Sequence, residues 1–559
     1  MANLQAIDQV NPQMAERLRW PVNSSHVRFV NSARDMPVAE VNYRDTWHTL
    51  NTLENPQQEA SDTAAPFCRN NGNCDALIFG VGLGYYVEAL LAQYPPGRTL
   101  HLYDRDPWLI RLMLTRIDLI SYISSGRIRL YMGSDLTRLR SLRENMGAFF
   151  HPVLSLIYNK ERQFYEEKDI QQKKLRVLLG EGGLFVDDVA ETLRSMGHDV
   201  LPWLPRHVSA EELTFQLKDF CPDAVFHINY LHGLATFLEN HRTKFICWEI
   251  DPVVDRIPDA EQQNARGFIF TYNPQYIEHY QEAGFRQVEY LPLAANTAKR
   301  RPLDISPEQK QRYGAKVSFV GASMMEQAED LKSIFLKIPP NFFGKEAGGK
   351  NADSIFHEIL TEQSLDEDTY RIPKILARYM EPGKRPFFNH DGTIYNVEML
   401  IGETAAMERR MKIVSGLAPH GIHVWGDAGW ETIAGDGVYY KGHAGHHKEL
   451  NYIYNAATVN LDINRFFQKH IVTMRVFDVL SCGGFLLTEH SSALKDLFDV
   501  GREIIACNTI EELHQCVDYY LKHPEKRKEI TLAGREAVLK RHDMKHRIAH
   551  MLKTAGFTT

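Results

Sequence analysis

Cysteine is scarce: seven residues in a chain of 559, an odd number, with Cys68 and Cys74 near each other and no second pair beside them. That excludes a disulfide framework and a four-ligand zinc site, and it predicts reduced thiols in a cytoplasmic protein. No apolar run approaches the ~18 to 20 residues that span a bilayer. The opening MANLQAIDQVNPQMAERLRW lacks the charged start and apolar core of a secretory signal. Positive charge is not in excess either. Lys and Arg number 64 against 71 Asp and Glu, a net charge of -7. A general nucleic-acid surface is therefore not expected, although a local basic cleft is compatible. What is present is 44% hydrophobic and 24% charged residues, the balance of a soluble globular protein. The length suggests three domains at roughly 150 residues each.

Three stretches open as strand, glycine or small-residue turn, and helix. The first is ALIFGVGLGYYVEALLAQ, with Gly80, Gly82 and Gly84 in the turn and a second strand ending at Asp104. That acid lies about twenty positions after the last glycine, where a ribose hydroxyl is met in a nucleotide-binding unit. The turn is read either as a cofactor site or as a packing device of a degenerate domain. The second opening is LRVLLGEGGLFVDDVAETLRSMGHDV, and the third runs from Lys316 through Gly321-Ala322-Ser323. Residues 1–70 read as a polar leader, with short helices over 14–18 and 43–53 and a loop at 55–66. Residues 71–173 read as an accessory Rossmann-like domain, with further strands at 128–132 and 153–158 and a charged connector at 159–173. Residues 174–300 and 301–530 read as two more α/β domains. The last of these carries a helical insertion with a mobile loop near 345–400, and a terminal helical segment fills 531–559. Residues 403–414 read as an amphipathic helix bearing Arg409, Arg410 and Lys412, either a solvated face or a phosphate contact.

The stretch VTMRVFDVLSCGGFLLTEHSS places Arg475 and Asp478 on a helix, Gly483-Gly484 in a turn, and a Thr-ended strand after it. Together with WEIDP at 248–252 and YLPLAA at 290–295, it resembles the glycosyltransferase family named for the spore maturation protein CgeB. That resemblance covers roughly residues 174–555 and extends to the C-terminal, group 1 type domain of GT-B glycosyltransferases. The Gly80–Tyr86 turn resembles S-adenosylmethionine-dependent methyltransferases and flagellin-modifying transferases of the motility-associated-factor type. It departs from the methyltransferase pattern in having Phe79 before the first glycine.

The fold class this implies is α/β: a GT-B type pair of Rossmann-like domains plus an additional N-terminal Rossmann-like α/β domain. The terminal helix would cross back to the acceptor-side domain. The function implied is transfer of a sugar from a nucleotide diphosphate-sugar, first of all a UDP-sugar, to a hydroxyl acceptor such as flagellin or a surface glycan. No cofactor and no metal are required, because basic side chains and helix N-termini neutralise the diphosphate. The donor set comprises Gly321, Ser323, Gly426, His443, Asn464, His470, Arg475, Asp478, Gly483 and Gly484. Asp478 is the ribose candidate and Arg475 the phosphate candidate; the alternative for Arg475 is a salt bridge to Asp478 or Asp496. Retaining GT-B enzymes carry two glutamates eight positions apart, and those places hold His470 and Asp478 here. Asp251, or else His232, is the candidate base; Asp251 is alternatively a helix cap. Gly442 to His447 holds three histidines and reads as a donor-touching loop. Two other functions stay open: a methyltransferase or bifunctional enzyme using Gly80, Gly82, Gly84 and Asp104, and a non-catalytic sugar-nucleotide-binding scaffold. An oligomer is compatible with the sequence.

Overall fold

The computed structural model describes residues 2–44, 46–167, 175–254, 264–446, 448–465 and 467–558. The boundary expected at 173–174, the end of the 159–173 connector and His447 lie outside the described residues. The chain divides into two compact units, Met1–Ile228 with Asn240–Phe245, and Asn229–Glu239 with Ile246–Thr559.

In the first unit, β1 (Val27–Asn31), β2 (Pro37–Tyr43) and β3 (Thr46–Thr49) form an antiparallel sheet. β4 (Asp75–Phe79), β5 (Leu100–Asp104), β6 (Ile128–Met132) and β7 (Met146–Phe150) form a parallel sheet in the order β6-β5-β4-β7. β4 is buried from Ala76 to Phe79 and β5 throughout, as expected for strands covered on both faces. β8 (Arg176–Gly180) pairs in parallel with β9 (Asp199–Trp203) and β10 (Ala224–Ile228).

Three local expectations are corrected here. Residues 43–53 hold β3 rather than a helix, because Thr46, Trp47 and Thr49 favour a pleated, half-buried surface. Residues 55–66 begin a helix, Pro56–Asn71, which Asn55 caps by accepting from the Gln58 N–H with Pro56 at its first position. Residues 153–158 are helical over Leu154–Ile157, and the strand lies earlier, at β7.

β11 (Lys244–Glu249) enters the second unit at Ile246 and ends in a buried carboxylate, and in that unit β12 (Asn264–Thr271) pairs in parallel with β13 (Phe285–Tyr290). β14 (Val317–Val320) opens a second sheet. The insertion adds a helix, Ala352–Gln363, and a hairpin of β15 (Phe387–His390) and β16 (Thr393–Asn396). β17 (Ile422–Trp425), β18 (Val438–Tyr440), β19 (Val459–Asp462), β20 (Leu486–Glu489) and β21 (Ile505–Cys507) complete a parallel sheet in the order β18-β17-β14-β19-β20-β21. Its chain order reverses between β14 and β19, which makes the carboxyl ends of those two strands the switch point of the sheet. The helix Val397–Gly416 runs from this sheet to the insertion and is buried along most of its length. The last helix, Met544–Thr554, returns to β12 and β13: Arg547 Nε donates to the Pro292 carbonyl at 2.8 Å, and His550 meets Glu289 at 2.7 Å.

Candidate active site

Three guanidinium groups converge at the switch point. Arg475, on the helix Met474–Ser481, donates from Nε to the Val320 carbonyl at 2.8 Å and pairs through Nη1 with Asp462. Arg410 donates to the carbonyls of Ala322, at 2.8 Å, and Ile463, at 3.0 Å. Arg465 pairs with Glu403 at 3.0 Å. The sheet places them: Val320 and Asp462 end adjacent strands, and Ala322 and Ile463 are on the loops that leave those strands.

Asp462 is buried and accepts from Thr473 Oγ1 and Thr488 Oγ1, both at 2.8 Å, as well as from Arg475. Its lone pairs are therefore spent on holding the first turn of the Arg475 helix against β19. Glu403 is fully buried and faces Arg465 with one oxygen. Three cations thus share two carboxylates. The deficit falls on Arg410, whose guanidinium has no carboxylate of its own. Burial first, then repulsion from Arg465 and Arg475, push its pKa down to about 9, with Glu403 and Asp462 only partly opposing. At this centre three guanidinium groups meet only two buried carboxylates.

The turn between β14 and the helix Met325–Phe335 is tightly occupied. The Ser323 N–H donates to Asp427 at 2.7 Å, and its hydroxyl also bonds Asp427. A Cβ on Gly321 would lie 2.7 Å from Arg475 Nη2, and one on Gly426 would lie 2.2 Å from the Gly321 carbonyl oxygen. Gly321 and Gly426 thus let a guanidinium and two backbones approach closely. Asn464 donates its N–H to Glu489 at 2.7 Å, and its buried Oδ1 has no hydrogen-bond partner among the described residues.

The loops after β11 and β12 of the same unit reach this centre. The Tyr272 hydroxyl, just after β12, accepts from Gln468 Nε2 at 2.8 Å. Burial lowers the Arg465 pKa, but Glu403, Tyr272 and Asp251 outweigh it and hold the group above its ordinary value. Asp251 is exposed and accepts from Asn229 Nδ2 at 2.7 Å, while Asn229 Oδ1 takes the Ile250 N–H at 3.0 Å. Asn229 thereby fixes Asp251 on the loop after β11. His232 is exposed, its ring edge-on to Tyr230 at 5.3 Å.

The other expected donor residues have partners or surroundings of their own. Asp478 is buried in an ion pair with Arg300 at 2.9 Å. Gly483-Gly484 precede β20, at the edge of the sheet opposite Asp462, where a Cβ on Gly484 would meet the Tyr454 carbonyl at 2.6 Å. His470 meets Ser492 at 3.0 Å. His443 is exposed, while His446 stands against Arg300 at 3.2 Å. Among the described residues, no group of three His, Cys, Asp or Glu side chains suits a metal ion, and no helix is long and apolar enough to cross a membrane. The solvated reading of the 403–414 helix is corrected: Arg409 is buried against Glu489 at 2.5 Å and Arg410 is buried too, leaving only Lys412 exposed.

The N-terminal glycine turn packs closely against the protein itself. Gly80, Gly82 and Gly84 all have positive φ, and added Cβ atoms would meet Leu154, His151 and Ile117 at 2.8, 3.3 and 2.3 Å. Asp104 is fully buried and accepts from the Val81 N–H at 2.8 Å, the Asp106 N–H at 3.0 Å and the Tyr158 hydroxyl at 2.7 Å. Burial, with Asp106 adding, raises its pKa to about 7.

Residues 405–553 match the family model described as "Glycosyl transferase-like". That segment is glycosyltransferase-like. It begins within the Arg410 helix and contains Asp462, Arg465 and Arg475. Solved structures similar to the chain include a glycosyltransferase from Rickettsia africae ESF-5, at 10% identity and TM-score 0.41, over 69% of this chain and 100% of that one. Sucrose-phosphate synthase from Thermosynechococcus elongatus aligns at 12% identity and TM-score 0.38, covering 68% and 97%. Anabaena HepE in complex with UDP-glucose aligns at 10% identity and TM-score 0.36, covering 68% and 99%. No curated protein sequence matches the chain.

Five residues that the sequence reading left unassigned belong to the centre: Glu403, Asp462, Arg465, Gln468 and Tyr272. Asp462 carried a usable signal, since it is the acid that ends a buried strand beside the switch point of its sheet.

Proposed function

We propose that this protein is a GT-B glycosyltransferase of the CgeB-like kind, moving a sugar from a nucleotide diphosphate-sugar to a hydroxyl acceptor. The observation that carries the reading is the cation excess of Arg410, Arg465 and Arg475 over Glu403 and Asp462 at the switch point of the donor-side sheet. A diphosphate supplies the missing negative charge, and buried guanidinium groups hold it without a divalent ion. The unpartnered Asn464 Oδ1 supplies an acceptor for a sugar or ribose hydroxyl. Asp251, oriented by Asn229, acts as the base that takes the acceptor proton. The acceptor is a protein or a surface glycan, and the enzyme works in the cytoplasm.

A thermal-shift screen of UDP-, GDP-, dTDP- and CMP-sugars tests this. At least one donor raises the melting temperature, and Arg475→Ala removes the shift. Donor hydrolysis, followed by release of the nucleoside diphosphate, is expected at a low rate and should be unaffected by EDTA. Failure of every nucleotide sugar to shift the protein would sink the reading.

A further inference from the structure

Two consecutive arginines on the helix Val397–Gly416 act on one peptide group. Arg410 Nη2 donates to the Ile463 carbonyl at 3.0 Å. Arg409 pairs with one oxygen of Glu489 at 2.5 Å, and the other oxygen accepts the Asn464 N–H at 2.7 Å. The Ile463 carbonyl and the Asn464 N–H belong to the same planar trans unit, where they point in opposite directions. Gripped at both ends, that plane is held against rotation. The direction in which the Asn464 side chain leaves the loop after β19 is constrained with it.

Arg409 is braced from behind by the insertion. Its Nε donates to the Glu367 carbonyl at 2.5 Å. Glu367 lies between the helices Ala352–Gln363 and Ile372–Leu376, in the polar and partly acidic run SLDEDTYR. Gln363 gives that run its shape. Its buried amide donates to the carbonyls of Asp366 and Thr369, at 2.8 and 2.9 Å, and accepts the Arg371 N–H at 2.7 Å. The same loop also touches the chain beyond Asn464. The Tyr370 and Phe467 rings lie 5.7 Å apart, and the Asp368 carbonyl accepts from Lys469.

We propose that Arg409 is a positioning residue: through Glu489 it aims Asn464 at a hydroxyl group of the bound nucleotide sugar, with the loop 364–371 as its support. The buried Asn464 Oδ1, which has no hydrogen-bond partner among the described residues, can only accept, so its counterpart is a group that donates. A guanidinium buried beside a carboxylate is a common structural pair. This one differs in that the second carboxylate oxygen is spent on the peptide that carries the unpartnered side chain. The inference rests on the sugar-transfer reading.

Titration calorimetry with the full-length protein tests the proposal. The probe is whichever of UDP-glucose, GDP-mannose, dTDP-glucose and CMP-N-acetylneuraminate shifts the wild-type melting temperature most, beside the matching bare nucleotide. Asn464→Ala should weaken the nucleotide sugar about tenfold. Arg409→Gln should weaken it by a similar factor, and the double variant should fall within about twofold of Asn464→Ala alone. Glu489→Gln, a change that keeps the side chain's size, should behave like Arg409→Gln and carries the test where that variant does not fold. In donor hydrolysis the loss should appear in KM, with kcat within about twofold of wild type. Losses absent with the bare nucleotide put the hydroxyl on the sugar, and equal losses put it on the ribose; both support the proposal. Losses that multiply in the double variant, or a fall in kcat at unchanged KM, would mark a merely structural role and overturn it while leaving the sugar-transfer reading intact. No wild-type shift with any of the four nucleotide sugars would remove that reading and this inference together.

Discussion

Two strand–turn–helix openings in this chain look alike on paper and differ in what surrounds them. At Gly80–Gly84 an added Cβ would meet Leu154, His151 and Ile117, and Asp104 accepts from the Val81 and Asp106 N–H groups. At Gly321–Ser323 the space is taken by guanidinium groups with too few carboxylates to neutralise them. Glycine permits the backbone conformation and the close approach in both. What decides whether a ligand is needed is the set of side chains delivered from distant parts of the sequence.

The contrast predicts opposite phenotypes. Leu154→Ala, at a fully buried position against the filled turn, should cost about 2–5 kcal/mol of stability without creating a nucleotide site. Denaturant unfolding measures the first part and calorimetry with S-adenosylmethionine the second. Arg410→Met should do the reverse. It removes a buried, repelled charge, so the unliganded protein should melt no lower than wild type, while donor-dependent turnover should fall about a hundredfold or more. A matched loss of stability and turnover in both variants would erase the distinction.

A smaller effect concerns pH. Asp104 holds its proton in the folded state up to about pH 7, whereas an unfolded carboxyl releases it near pH 4. The folded state therefore binds more protons across that window, and its contribution to stability declines as pH rises through it. Asp104→Asn should flatten this slope in melting curves recorded between pH 4 and 8. The smallest expectation is no change: S-adenosylmethionine should leave the wild-type melting temperature where it is.

Much of the framework was legible in the sequence. The strands at 76–79, 100–103, 199–203, 317–320 and 422–425 are short apolar runs bounded by turn residues, and such runs announce themselves. The centre was legible only in part. Arg475 could be assigned from its place on a helix leading into a crevice. Arg465 could not, because its partner Glu403 lies 62 positions away. Arg410 read as either solvated or a phosphate contact, because charges on an amphipathic helix are placed on its polar face, whereas this helix is buried on nearly all sides. Gly483-Gly484 read as ligand-facing although a turn that precedes a parallel strand lies at the strand's amino edge, as it does before β20, which runs parallel to β19.

The crowding of Arg410, Arg465 and Arg475 bears on how quickly the protein can work. Breaking the glycosidic bond leaves the departing nucleotide with an additional negative charge. A pocket built from surplus guanidinium therefore grips what is left behind more firmly than what arrived. On the sugar-transfer reading, turnover is paced by the escape of spent nucleotide rather than by bond cleavage.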